Sequence, residues 1–176
     1  LESKISHSVS PMIAVSRLIK NTDENAKVVF IGPCIAKKME IREDDLSGSV
    51  DFVMTFEELA ALLDAADIKI EYCDEAVLDN ASFFGRIFAR TGGLTDAVKQ
   101  ALVEQGITDF EFKPTIASGL DECKIALDKA SKEPKDFNFI EGMACCNGCI
   151  GGPCCLTHEF RDKTEVDKYG HEAKEK

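Results

Sequence analysis

Short apolar runs that end in glycine or proline alternate along this chain with segments whose apolar residues recur every three to four positions, the pattern of strands feeding helices. Ser10-Pro11 supplies a serine cap and a first-turn proline, and Met12, Val15, Leu18 and Ile19 follow at helical spacing until the polar stretch Asn21 to Lys27. Val28-Val29-Phe30-Ile31 is a continuous apolar run rich in β-branched residues, as expected of a strand buried on both faces, and it delivers Cys34 in the loop at its end. Val50 to Met54 reads as the next strand. Thr55-Phe56-Glu57-Glu58 then forms a capping box that opens a helix carrying Leu59, Leu62 and Leu63.

Residues 67 to 86 are less regular, with a strand expected at Ile68 to Tyr72 and a loop around Asp79 to Ser82. Gly92-Gly93 precedes a helix with Leu94, Val98, Ala101 and Leu102 on one face, ended by Gly106. Lys113 to Ser118 reads as a strand feeding a helix from Leu120 to about Lys132, and Phe137 to Ile140 as a last strand. That strand runs into a second cysteine loop, so both cysteine segments stand at the C-terminal ends of predicted parallel strands, the edge where open α/β sheets bind ligands. The tail from Phe160 to Lys176 is highly charged and reads as a solvated helix or a frayed end, set apart from residues 1–159. The predicted class is α/β, with small parallel sheets flanked by helices in two lobes.

Composition narrows the partners. Thirty-two acidic against 21 basic residues give a net charge of -11, which disfavours nucleic acid and anionic membranes, since either needs a basic face. No apolar run approaches the roughly 18 to 20 residues of a membrane span, and the N-terminus lacks a secretory signal pattern, so a cytoplasmic location is expected. The first residue is Leu1 rather than methionine, which suggests excision from a longer protein.

Of eight cysteines, five fall between Cys145 and Cys155, too local to staple a chain of this length, so metal or cluster chemistry is favoured over disulfides. Cys73 and Cys123 stand alone and read as buried or partly buried structural thiols. Cys145 and Cys149 have C-x3-C spacing among Gly142, Gly148, Gly151 and Gly152, which permit close backbone approach, and Cys34 can join from a neighbouring strand end. Backbone amides turned toward sulfur and room for cluster atoms are what an iron-sulfur site needs. Zinc is the competing ion, through the x2 spacings of Cys146 with Cys149 and Cys155 with His158.

Gly32-Pro33-Cys34-Ile35-Ala36-Lys37-Lys38-Met39-Glu40 and Met143-Ala144-Cys145-Cys146-Asn147-Gly148-Cys149 resemble two cluster-binding motifs, P-C-x-x-K-K-x-E and M-A-C-x-x-G-C, of the C-terminal catalytic domain of iron-only hydrogenases. Ser10-Pro11, Asp51 to Thr55 and Gly85 to Gly93 are also similar to this family, so the resemblance spans nearly all of residues 5 to 155. It implies a 4Fe-4S cluster bridged to a two-iron unit that carries carbon monoxide and cyanide, lying between the two lobes. By residue match, Cys34, Cys145 and Cys149 would be cluster ligands, with Cys149 bridging. Lys37 would donate to a cyanide, its charge offsetting that of the cofactor. Phe88 and Met143 would wall the two-iron pocket, and Ser6 falls at the place of a proton-relay serine.

The departures matter equally. The family's first motif, which supplies the fourth cysteine, would lie upstream of Leu1, so a preceding part of the same protein is an expected partner and the isolated fragment is expected to hold its cofactors incompletely or not at all. Gly32 stands where hydrogen-producing members carry methionine, Met12 where they carry glutamine, and Cys146 where they carry proline. Such changes resemble the divergent branch of the family assigned to hydrogen sensing. Cys154 and Cys155 match no ligand and read as bystanders. The expected function is reversible proton reduction to dihydrogen, in the service of turnover or sensing, with an electron carrier such as ferredoxin. The alternative is a non-catalytic 4Fe-4S protein resembling hydrogenase-like assembly factors.

Overall fold

The computed structural model describes residues 1–77, 81–132, 136–159 and 161–175. They form two compact units, one of Leu1–Asp74 with Pro153–Leu156, the other of Glu75–Gly152 with Thr157–Lys176.

In the first unit α1 (Pro11–Thr22) is followed by β1 (Val29–Ile31), α2 (Ala36–Glu40), β2 (Phe52–Met54) and α3 (Phe56–Ala65). Ser10 caps α1 through its hydroxyl, as its position before proline predicts. The strands β1 and β2 are parallel, with Phe30 opposite Val53. The core is Met12, Ile13, Leu46, Val50 and Val53, with Phe30 and Ile41 packed against it. The inward face of α1 differs from the one expected: Met12, Ile13 and Ser16 are buried, whereas Val15, Leu18 and Ile19 are exposed. Polar tethers set that rotation, since Arg17 donates to Ser49 Oγ and the Asp45 carbonyl, and Lys20 donates to the Gly48 carbonyl. Nor is β1 buried on both faces; Val29 and Ile31 are 50% and 42% exposed. Its sheet has two strands, and only the face carrying Phe30 meets the core.

Asp51 fixes the start of this sheet. Its carboxylate takes the Val28 N–H at 2.8 Å and pairs with Lys20 at 2.7 Å, and these contacts, Lys20 foremost, hold its carboxyl well below the usual range. The Thr55–Glu58 capping box is present in both directions. The strand expected at Ile68 to Tyr72 is instead a single 3-10 turn over Ile70–Tyr72, with Ile70 and Tyr72 exposed, and Cys73, expected to be at least partly buried, is exposed at its end. Among the described residues no strand pairs with this run, so it has no ladder to join.

The second unit contains α4 (Phe83–Ile87), α5 (Gly93–Glu104), β3 (Pro114–Ser118), α6 (Leu120–Ala130), β4 (Phe139–Met143) and α7 (Asp162–His171). Strands β3 and β4 are parallel, from Pro114 opposite Phe139 to Ser118 opposite Met143. Of the loop expected around Asp79 to Ser82, residues 79 and 80 lie outside the described residues, and Ser82 caps α4 by accepting from the Gly85 N–H. The charged tail is a helix, and one side of it is docked. Gly170 is buried where α7 packs on α4, Arg86 lies 4.4 Å above the Tyr169 ring, and Arg90 pairs with Asp167.

Candidate functional site

The first unit positions Cys34. The ladder continues past β1 through the Gly32 N–H to the Met54 carbonyl at 3.0 Å, Pro33 ends it, and α2 begins at Ala36. The half-buried thiol therefore stands between a strand end and a helix start. At Gly32 the Phe30 ring lies 2.8 Å from where a Cβ would sit, so this chain fills with its own aromatic ring the space that a side chain there would take.

Lys37 is the second residue of α2 and pairs with Glu40, both side chains being largely buried. Lys38 pairs with Glu58, whose other oxygen takes the Thr55 N–H at 2.9 Å. The ammonium of Lys38 is the main cause, and the Thr55 amide the next, of a Glu58 carboxyl held below its ordinary value. One residue thus caps α3 and ties α2 to it, which fixes the helix that follows Cys34. Ser6 is exposed and accepts from the Ser8 N–H, and it shares an open cleft of about 580 Å³ with Met39 and Glu40. Cys154 also belongs to this unit. Burial, and next the charge of Glu57, push its thiol up, and Cys34 is among the groups that act in the same direction.

The second unit holds the other cysteine loop. β4 extends three residues beyond the expected Ile140, to Met143, so Cys145 follows two residues after the strand. Asn147 and Gly148 both take left-handed backbone, at φ 69° and 83°, and a 3-10 turn follows over Cys149–Gly151. Glycine is required twice: a Cβ at Gly148 would stand 2.7 Å from the Thr91 nitrogen, and one at Gly151 would stand 1.9 Å from the Cys146 carbonyl oxygen. The segment after α4 grips this loop. Thr91 N–H donates to the Asn147 carbonyl at 3.1 Å, Ile150 N–H donates to the Ala89 carbonyl at 3.3 Å, and Arg90 and Gly148 form an antiparallel bridge.

Beneath the loop lies Glu141, fully buried on β4. Its carboxylate takes the Gly92 N–H and Thr95 N–H at 2.7 Å each and the Thr95 hydroxyl at 2.6 Å. An acidic group at the start of α5 completes the orphan amides of that helix and favours its dipole. Sequence reasoning gave Glu141 no role, although a lone charge inside the apolar run Phe137 to Met143 is the signal of a paired carboxylate.

The candidate residues therefore divide between the units. Cys34 and Lys37 lie in the first; Cys145, Cys149, half-buried Met143 and half-buried Phe88, which ends α4, lie in the second. The cysteine loops follow strands of two different sheets, not neighbouring strands of one, because each sheet pairs only two strands. None of the eight cysteines, all of them among the described residues, is joined in a disulfide. Their donor chemistry fits iron-sulfur ligation, soft thiolates on tight glycine-rich loops. Among the described residues no three Cys, His, Asp or Glu side chains gather tightly enough to hold a single ion such as zinc, and no helix is long and apolar enough to cross a membrane.

Residues 1–153 match the family model of the iron only hydrogenase large subunit, C-terminal domain. The chain is 28% identical over 162 residues to iron hydrogenase 1 of Clostridium pasteurianum, covering 73% of this chain and 28% of that protein. It is 32% identical over 165 residues to the NADP-reducing hydrogenase subunit HndD of Solidesulfovibrio fructosivorans, covering 73% and 28%. With the periplasmic Fe hydrogenase large subunit of Nitratidesulfovibrio vulgaris it shares 29% identity over 171 residues, covering 76% and 40%. The chain thus spans less than half the length of these curated relatives. Its fold is similar to a solved variant of FeFe-hydrogenase HydA1 from Chlamydomonas reinhardtii, with TM-score 0.58, 17% identity and 90% of this chain covered against 57% of that one. An apo form of the same enzyme gives TM-score 0.57 at 16% identity, covering 92% and 58%.

Proposed function

The chain belongs to the family of the iron-only hydrogenase large subunit, C-terminal domain, and from that premise we propose that it forms part of a hydrogenase catalytic domain in which Cys34, Cys145 and Cys149 ligate a 4Fe-4S cluster joined to a two-iron unit with carbon monoxide and cyanide ligands. When bound, that group would supply the interconversion of protons and dihydrogen. The observation that carries the reading is the coincidence of three half-buried thiols with two strand-end loops, one formed by glycines that tolerate no Cβ.

The work of the chain itself is to hold and to shield. Lys37 has three donors and gives one to Glu40; another would meet an anionic cofactor ligand. Phe88 and Met143 would restrict water around the two-iron unit. A fourth thiolate would come from elsewhere in the same protein, electrons from a carrier such as ferredoxin, and the compartment would be the cytoplasm. The replacements at Gly32, Met12 and Cys146 support a hydrogen-sensing role over rapid turnover.

The test is iron and sulfide content after anaerobic reconstitution of the full-length protein. Cys145→Ser is expected to lose the cluster, whereas Cys146→Ser keeps it. Full iron in Cys145→Ser would remove Cys145 from the ligand set.

A further inference from the structure

Between the two cysteines of the C-x3-C segment, Asn147 holds left-handed backbone, one of two non-glycine residues among those described to do so. Such backbone disfavours an L side chain and persists where its surroundings impose it. Here both polar groups of its peptide backbone are held. The Asn147 N–H donates to Ser118 Oγ at 2.8 Å, and its carbonyl takes the Thr91 N–H at 3.1 Å. The hydroxyls of Ser118 and Thr91 are hydrogen-bonded to each other at 3.2 Å. Asn147 is thus closed in a three-residue ring with Ser118 and Thr91, all within the second unit.

Ser118 is well placed to impose geometry. It is the last residue of β3, opposite Met143 of β4, and its own N–H is fixed by Glu122 at 2.7 Å. The next residue, Gly119, donates to the Met143 carbonyl at 2.7 Å. The hydroxyl therefore projects from backbone anchored on a strand pair and on α6, while its acceptor site engages a loop without regular structure. Thr91 is anchored in turn, because it adjoins Gly92, whose amide Glu141 holds. A sulfur ligand pair needs its two thiols held at one separation, and the residue that most strongly controls that separation is the turn between them.

We propose that Ser118 is a positioning residue for iron ligation: its hydroxyl holds Asn147 in the left-handed turn that sets Cys145 and Cys149 in ligating geometry. The proposal rests on the reading of those two cysteines as cluster ligands. A hydroxyl present only to satisfy a loop amide would affect folding of the apo chain; one that positions ligands affects retention of iron by a chain that folds normally.

The experiment uses the full-length protein, reconstituted anaerobically with iron and sulfide, in wild-type, Ser118→Ala, Ser118→Thr, Thr91→Val and Cys145→Ser forms. Iron release to a chelator is followed by absorbance, the reduced cluster by electron paramagnetic resonance, and folding of each apo protein by urea unfolding. Ser118→Ala is expected to release iron about tenfold faster than wild type, with a broadened resonance and a near-normal apo midpoint, in keeping with the loss of an outer-shell partner. Ser118→Thr restores slow release, and Thr91→Val shows a smaller acceleration. Adding Asn147→Gly to Ser118→Ala is expected to recover part of the retention, because glycine takes the left-handed turn without a clamp. Release from Ser118→Ala within twofold of wild type, while Cys145→Ser loses its iron, overturns the role of Ser118 alone. Full iron in Cys145→Ser overturns the ligand reading and the proposal with it. If Ser118→Ala does not fold, Thr91→Val decides, and unchanged release from it overturns the proposal.

Discussion

Replacing Glu141 with alanine should unfasten the start of α5. Two backbone amides and one hydroxyl converge on this buried carboxylate at 2.6 to 2.7 Å. Its removal orphans the Gly92 and Thr95 amides, each costing about 1–3 kcal/mol when buried, while the Thr95 hydroxyl can rotate to another acceptor and adds little. The vacated volume adds about 1 kcal/mol, because a strand-bound site collapses poorly. The sum is about 3–7 kcal/mol, a large share of the roughly 5–15 kcal/mol that holds a domain together. With a urea slope of about 2 kcal/mol/M the unfolding midpoint falls by about 1.5–3.5 M. Circular dichroism would read the midpoint, and amide exchange at Gly92 and Thr95 would localise the loss. Glu141→Gln keeps the volume but turns an amide NH2 toward a donor, so it too is destabilised, by less. A midpoint shift below about 0.5 M for Glu141→Ala, with exchange at Thr95 unchanged, would refute the argument.

Three further outcomes follow from the same geometry. Asp51 and Glu58 have folded-state carboxyls held below their ordinary range, so the stability each contributes is complete above about pH 5 and is lost as pH falls through the folded values; the gap between the urea midpoints of wild type and Asp51→Asn should be full at pH 7, begin to narrow below about pH 4 and still be closing at the lowest pH at which the chain folds, and a gap independent of pH would contradict this. In the apo chain at pH 8, iodoacetamide should label exposed Cys73 and Cys146 about tenfold faster than Cys154, whose thiol is buried and raised, and peptide mass mapping showing Cys154 among the first labelled would count against its burial. Gly151→Ala should disrupt the cysteine loop because the Cys146 carbonyl cannot yield the space, whereas Gly85→Ala, with no neighbour closer than 3.6 Å on a helix, should be neutral or mildly stabilising; equal thermal shifts for the two would refute the packing argument.

The parts of the fold legible in the sequence are those fixed by local chemistry. The serine before Pro11 and the Thr55–Glu58 box use contacts within a few residues, and both are found where expected; the Gly92-Gly93 helix start is also found where expected, marked by its glycines although distant Glu141 holds its amides. The cysteine loops were legible for the same reason, since apolar runs end in Gly-Pro or glycine clusters there. What long-range contacts decide was not. The run at Ile68 to Tyr72 has strand-forming residues but no partner, and the inward face of α1 is chosen by Arg17 and Lys20 reaching residues 45 to 49. The docking of α7 depends on Arg86 and Arg90, some 80 positions upstream of their partners Tyr169 and Asp167. In the site, the cysteines were visible by spacing, whereas the Ser118–Thr91–Asn147 ring and the Glu141 anchor join three separate segments that no spacing rule connects.

The most direct test of the central claim is an infrared spectrum of the full-length protein after anaerobic maturation, taken beside a control hydrogenase matured in parallel. The account predicts stretches of metal-bound carbon monoxide and cyanide, altered in Lys37→Ala and absent in Cys149→Ser. A silent spectrum from a protein that carries its full complement of iron and sulfide, with the control positive, would contradict it and leave a plain iron-sulfur protein.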